Sequence, residues 1–135
     1  MEYSEFTRLL QEANSLLSAG RLKEAETTLY QLSIQDISDL DKAALCAKMA
    51  FISDRLGSTE EALAWFEKGI AYEQMYGRYE VSEKKAEYLS QLGRSKEAIP
   101  IYETLAKQPF VTEAEKERMR KVIQTFVGKV MREWR

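Results

Sequence analysis

The chain has 135 residues, 44% of them hydrophobic and 31% charged, with six Gly, two Pro, a single Cys and no His. Its net charge of −2 offers no basic field for nucleic acid. The absent histidine removes the commonest general base, the commonest zinc ligand and every Ser–His or Cys–His nucleophile pair.

From the N-terminus, Met1-Glu-Tyr-Ser-Glu-Phe6 is acidic and lacks the apolar segment of a signal peptide. No uncharged stretch is long enough to span a bilayer. With Cys46 alone and no internal disulfide possible, a cytoplasmic, soluble protein is the expectation. Phe6, Leu9, Leu10, Ala13, Leu16 and Leu17 recur at three and four and predict a helix over 3–19, stopped by Gly20. A second helix, 22–34, uses Leu22, Ala25, Leu29 and Leu32, and Ser38 or Asp39 then offers an N-cap. The third, 40–56, stacks Ala43, Cys46, Met49, Ala50 and Leu56 on one face. Ser58 with Glu61 reads as a capping box that opens a fourth helix, 59–75, burying Ala62, Trp65, Phe66 and Ile70.

Gly77 separates this from a fifth helix, 79–92, with Ala86, Leu89 and Leu92 inward. The sixth, 95–107, carries Ala98, Ile99, Tyr102 and Leu105, with Pro100 expected to cause a mild kink near its start. Thr112 and Glu115 form another capping box and open a seventh helix reaching about 134. Met119, Val122, Ile123, Phe126, Val130 and Trp134 keep one stripe through Gly128, so one continuous helix is expected there, weakest at the glycine. Residues 112–135 hold seven Lys/Arg against four Asp/Glu, whereas 1–111 hold 13 against 18: a basic tail on an acidic body.

Three segments echo one another: Ala19-Gly-Arg-Leu-Lys-Glu-Ala25, Leu56-Gly-Ser-Thr-Glu-Glu-Ala62 and Leu92-Gly-Arg-Ser-Lys-Glu-Ala98. Their glycines, at 20, 57 and 93, are spaced by 37 and 36 residues, a period typical of repeat arrays. Ala62-Leu-Ala-Trp-Phe66, Ala98-Ile-Pro-Ile-Tyr102 and Ala25-Glu-Thr-Thr-Leu29 follow an Ala-x-x-x-Phe pattern, and Ala13, Ala50 and Ala86 supply a small residue in each preceding helix. On these residues the chain resembles the tetratricopeptide repeat family over about 6–110. It departs where the family has tryptophan, carrying Leu9, Cys46 and Ser82, and it lacks the closing proline of the first two repeats; Pro109 lies near that of the third.

The resemblance implies an all-α right-handed helical solenoid: a single domain over 1–135 with three antiparallel helix pairs, about 6–38, 43–76 and 79–110, and a capping helix at about 112–134. It also implies a concave groove lined by the first helix of each pair. Its columns would be Thr7, Leu10, Asn14 and Ser18; then Ala44, Ala47, Phe51 and Arg55 with Lys48 beside them; then Glu80, Glu83, Glu87 and Gln91. Phe51 reads either as a contact for an extended peptide or as a side chain buried against Leu17. The three glutamates read either as a site for a Lys/Arg-bearing segment or as a solvated face. A chaperone-tail carboxylate clamp matches only at Asn14 and fails at Leu10 and Glu80.

The last helix has two uses open to it. Met119, Val122, Ile123 and Phe126 suit a cap over the terminal repeat. Val127, Met131 and Trp134 extend the apolar surface toward self-association, ringed by Lys129, Arg132 and Arg135, whose charges read equally as complementing the helix C-terminus. Chemistry finds no support: there is no Gly-rich phosphate loop, Asp36, Asp39 and Asp41 lack calcium-loop spacing, and Cys46 has no base. Tyr76 and Tyr79 around Gly77 suit packing or recognition. The expected function is therefore non-enzymatic and free of cofactor or metal: a protein–protein interaction module, monomer or homodimer, acting as an adaptor or scaffold and not on membranes. The alternatives are a small secretion-type chaperone for an unstable client, which the chain resembles in size, acidity and repeat number, or a scaffold self-associating through its last helix.

Overall fold

In the computed structural model, which describes residues 1–134, every regular element is helical. Seven helices follow in order: α1 Tyr3–Ser18, α2 Leu22–Ser33, α3 Asp39–Arg55, α4 Thr59–Gln74, α5 Glu80–Gln91, α6 Ser95–Ala106 and α7 Glu113–Glu133. α1 packs on α2, α3 on α4 and α5 on α6, each pair joined by three residues, which makes three helical hairpins.

The three echoes are one backbone device used three times. Gly20, Gly57 and Gly93 have φ of 76°, 90° and 77°, the left-handed conformation that a side chain resists. At the first, Gly20 N–H donates to Leu17 O at 3.0 Å and Arg21 N–H to Leu16 O at 2.9 Å. Gly57 and Ser58 repeat the pattern onto Asp54 and Ser53, and Gly93 and Arg94 onto Ser90 and Leu89. These are Schellman motifs, which use up the last carbonyls of the first helix while turning the chain back. The next helix then starts on a variable cap. Ser58 Oγ accepts from Glu61 N–H at 3.3 Å, whereas Arg21 and Arg94 bridge to Glu24 and Glu97. Only half of the expected capping box forms at Ser58, because its own N–H is already committed to Ser53 O at 2.8 Å.

One alanine on each helix of every hairpin is wholly buried: Ala13 and Ala25, Ala50 and Ala62, Ala86 and Ala98 all have 0% exposure. With no exposed surface left, these positions have no room for a larger side chain unless their surroundings shift.

The chain clusters into two compact units, Met1–Met75 and the residues from Tyr76 on. In the first, Phe6, Ala13, Ala25, Leu29, Leu32, Leu45, Met49 and Ile52 form a core, with Leu9, Leu10, Leu16, Leu17, Leu22, Ile37 and Trp65 packed against it. α3 packs on both α2 and α4, so it buries residues around most of its circumference, including Leu45 and Ile52, which a one-face reading omits. Leu56 and Leu92, expected inward, are exposed, because each is the C-cap at which the chain turns away. Ser38 is the cap of α3, accepting from Asp41 N–H at 3.1 Å.

In the second unit α6 packs on both α5 and α7. α6 runs through Pro100 and α7 through Gly128. Met119 and Phe126 bury the inner stripe of α7, and Phe126 meets Tyr102 with ring centroids 5.6 Å apart. The far end of α7 supplies what α6 lacks: Ser95 N–H and Oγ both donate to the Glu133 carboxylate, at 2.9 and 2.5 Å. A carboxylate there meets an otherwise orphaned N–H at the positive end of the helix. With the Ser95 proton so used, Ser90 Oγ is the donor of the buried 2.9 Å bond between the two hydroxyls.

Two glycine substitutions should have opposite signs. A Cβ at Gly57 meets nothing within 4 Å, so Gly57→Ala carries only the left-handed backbone penalty, about 1–2 kcal/mol of destabilisation. Gly128→Ala, mid-helix and with open space, should stabilise by about 0.5–1 kcal/mol. Urea denaturation of the two variants measures both, and a neutral or stabilising Gly57→Ala would contradict the turn geometry.

Candidate functional site

α1 and α3 bring four of the expected groove residues together in the first unit. Asn14 Oδ1 accepts from Lys48 Nζ at 3.0 Å, a link between side chains 34 positions apart. Lys48, Phe51 and Arg55 follow at three and four along α3 and share one face. Phe51 is 47% exposed, an unburied aromatic ring, and the Arg55 guanidinium lies 5.4 Å from its centroid. The face thus offers the Phe51 ring and the Arg55 guanidinium to solvent, beside the half-buried Lys48 and its Asn14 partner. Not every position assigned to the groove does so: Ala47 is buried, and Leu10 packs against the core.

Glu80, Glu83 and Glu87 lie on α5 in the second unit and differ from one another. Glu83 is spent internally: its Oε1 accepts from Arg118 Nη1 at 2.7 Å and from the Tyr102 hydroxyl at 3.0 Å. Arg118 also binds Glu115 at 2.7 Å, and Glu115 accepts from the Tyr79 hydroxyl at 2.8 Å. Burial, then the Glu83 charge, raises the Tyr102 phenol above its ordinary value, so it remains a donor. Burial and the hydrogen bond to Glu115 raise Tyr79 likewise. Bonds from Arg118 and then Tyr79 hold the Glu115 carboxyl below its usual range. Glu80 lies 3.6 Å from Arg78 on the surface, and Glu87 is exposed.

Glu83 and Glu115, with Gly77, Arg78, Tyr79, Glu80 and Phe110, line a hollow of about 380 Å³. Tyr79 stacks on Phe110 at 6.2 Å, so packing takes up this tyrosine, while Tyr76 is exposed. Arg118 and Phe110 escaped the sequence reading because their partners are remote in the chain.

On α7, Val127, Met131 and Trp134 are 48, 70 and 79% exposed, one outward apolar stripe spaced by four and three. Lys129 turns back over the Phe126 ring at 5.6 Å. Arg132 is exposed, and Arg135 lies outside the described residues. Cys46 is buried, and that burial raises its thiol above the ordinary value against the lowering influence of Lys68. Among the described residues no group of three His, Cys, Asp or Glu side chains could hold a metal ion, and no helix is long and apolar enough to cross a membrane.

These features define an all-α protein built of packed helical hairpins. Comparison with protein-family models, with curated proteins and with solved structures finds no match to the chain.

Glu115 makes the acid behaviour of the second unit testable. Its folded value is depressed, so its contribution is present above the ordinary carboxyl range and is lost as pH falls through the folded value. In Arg118→Met the larger of the two causes is gone, and the Glu115 titration, followed by carboxyl NMR, should move up toward the ordinary range. An unchanged midpoint would mean that the ion pair does not form in solution.

Proposed function

We propose that the chain is a protein–protein interaction module of the tetratricopeptide repeat type. In this reading it is a right-handed solenoid of three helix pairs with α7 as cap, acting in the cytoplasm as an adaptor or scaffold without catalysis or cofactor. Support for the repeat assignment comes from the three identical hairpin turns and the three fully buried alanine pairs. The observation that carries the binding reading is Phe51, a large ring left exposed beneath Arg55 and beside the Lys48–Asn14 pair. A folded domain gains nothing from such a ring in water, whereas a partner covering it gains apolar burial and a cation–π contact. The occupant is a peptide or partner segment with an apolar or aromatic side chain at Phe51. Separately, on the second unit, Glu80 and Glu87 favour a Lys/Arg-bearing segment, Glu83 being already neutralised.

A second reading, self-association, is favoured by the outward stripe of Val127, Met131 and Trp134. The same stripe would serve a dimeric chaperone that holds an unstable client.

Selection from a displayed random-peptide library tests the first reading. Ligands enriched on the native chain should bind with about micromolar affinity and weaken about tenfold on Phe51→Glu. Failure to enrich, or equal binding by Phe51→Glu, would remove this face from consideration. Light scattering on the native chain and Trp134→Glu tests the second: a dimer that the substitution splits supports self-association, and a monomer in both leaves α7 a simple cap.

A further inference from the structure

The side of α3 roughly opposite Phe51 carries a second recess, built entirely within the first unit. Its floor is α3, through Leu45, Cys46 and Met49, all buried. One wall is α2, with Tyr30, Ser33 and Ile34, and the other is α4, with Trp65, Lys68 and Tyr72. The recess holds about 160 Å³, close to the size of cavity that accepts a benzene ring. Tyr30 and Ile34, at the α2 wall, are 57 and 68% exposed, more apolar surface than an isolated helix end needs to show.

The two charged side chains that line the recess are both lysines. Lys42 Nζ lies 5.8 Å from the Tyr72 ring centroid and Lys68 Nζ 5.2 Å from that of Trp65. Most of the lysines and arginines with described ion pairs, Arg21, Lys23, Arg94, Lys116, Arg118 and Arg120 among them, meet a carboxylate three residues away or across the fold. Lys42 and Lys68 instead rest on aromatic faces, a weaker hold that leaves N–H donors open.

We infer that this recess is a docking pocket for an aromatic side chain of a partner protein, flanked in that partner's sequence by Asp or Glu. The ring fills the hole over Leu45, Cys46 and Met49, where it loses contact with water. The flanking carboxylates meet the Lys42 and Lys68 ammonium groups at the rim, where two cations select an acidic segment and reject a basic one. The preference is the reverse of the basic one assigned to Glu80 and Glu87, so the two sites answer to different ligands. The pocket reading stands independently of what Phe51 binds.

The probe is the acetylated, amidated peptide Asp-Glu-Phe-Asp-Glu, titrated into the native full chain and followed by amide NMR. Shifts should be confined to Tyr30, Ile34, Cys46, Met49, Trp65 and Lys68, and saturate at or below about 1 mM. Replacing Phe by Ala in the peptide, or its four acids by Lys, should abolish them. The double variant Lys42→Glu/Lys68→Glu should weaken binding about tenfold or more while keeping its helical circular dichroism, and Phe51→Glu should leave binding unchanged. No shift in these residues, or equal binding of the Lys-flanked peptide, overturns the proposal. Phenylacetate alone binding as tightly as the peptide also overturns it, because the occupant would then be a small aromatic acid and not a protein segment.

Discussion

The complete burial of an alanine on each helix of all three hairpins is the constraint on which the rest of the structure depends. Dispersion and apolar burial both reward close contact, and both fall away when a gap opens between packed surfaces. Ala13 with Ala25, Ala50 with Ala62, and Ala86 with Ala98 put a methyl group into each hairpin, and none retains any exposure. The larger residues Leu29, Phe66 and Tyr102 sit one turn further along the second helix and are buried as well.

The turn that joins each pair is equally constrained, while the chemistry beside it is free to vary. The left-handed glycine and its two closing hydrogen bonds recur unchanged, whereas the following helix is opened by Arg–Glu pairs in the first and third hairpins and by Ser58 in the second. Exposed ion pairs of this kind contribute at most about 1 kcal/mol, which is why a hydroxyl cap can replace them. The positions that repeat most strictly are those with no substitute: a residue without Cβ at the turn and one with only Cβ at the crossing.

The two units put their charges to different uses. In the second, Arg118 gathers Glu83 and Glu115, which in turn hold Tyr102 and Tyr79, so these three charges are consumed in joining α5, α6 and α7. In the first, Lys42, Lys68 and Arg55 lie over rings, and Phe51 stays in water. Charges already neutralised by neighbours give a partner little, while cations resting on aromatic faces can still accept a carboxylate.

Much of this was legible in the chain itself. Apolar spacing of three and four located all seven helices to within a residue or two, and glycines at 20, 57 and 93 marked three equivalent turns, because both depend on local backbone geometry. The exposed stripe of Val127, Met131 and Trp134 could also be read from spacing alone. What remained hidden depends on which remote side chain arrives opposite a given position. α3 buries Leu45 and Ile52 as well as its expected face because it packs on two helices at once. Glu83 looked like a free acid until Arg118, 35 residues away, was brought to it. The recess bounded by Tyr30, Trp65 and Lys68 belongs to three helices and is encoded in none of them separately. Periodicity specifies which side of a helix is apolar; only the packing of one helix on another decides what that side touches, and therefore which charges are neutralised and which surfaces stay open.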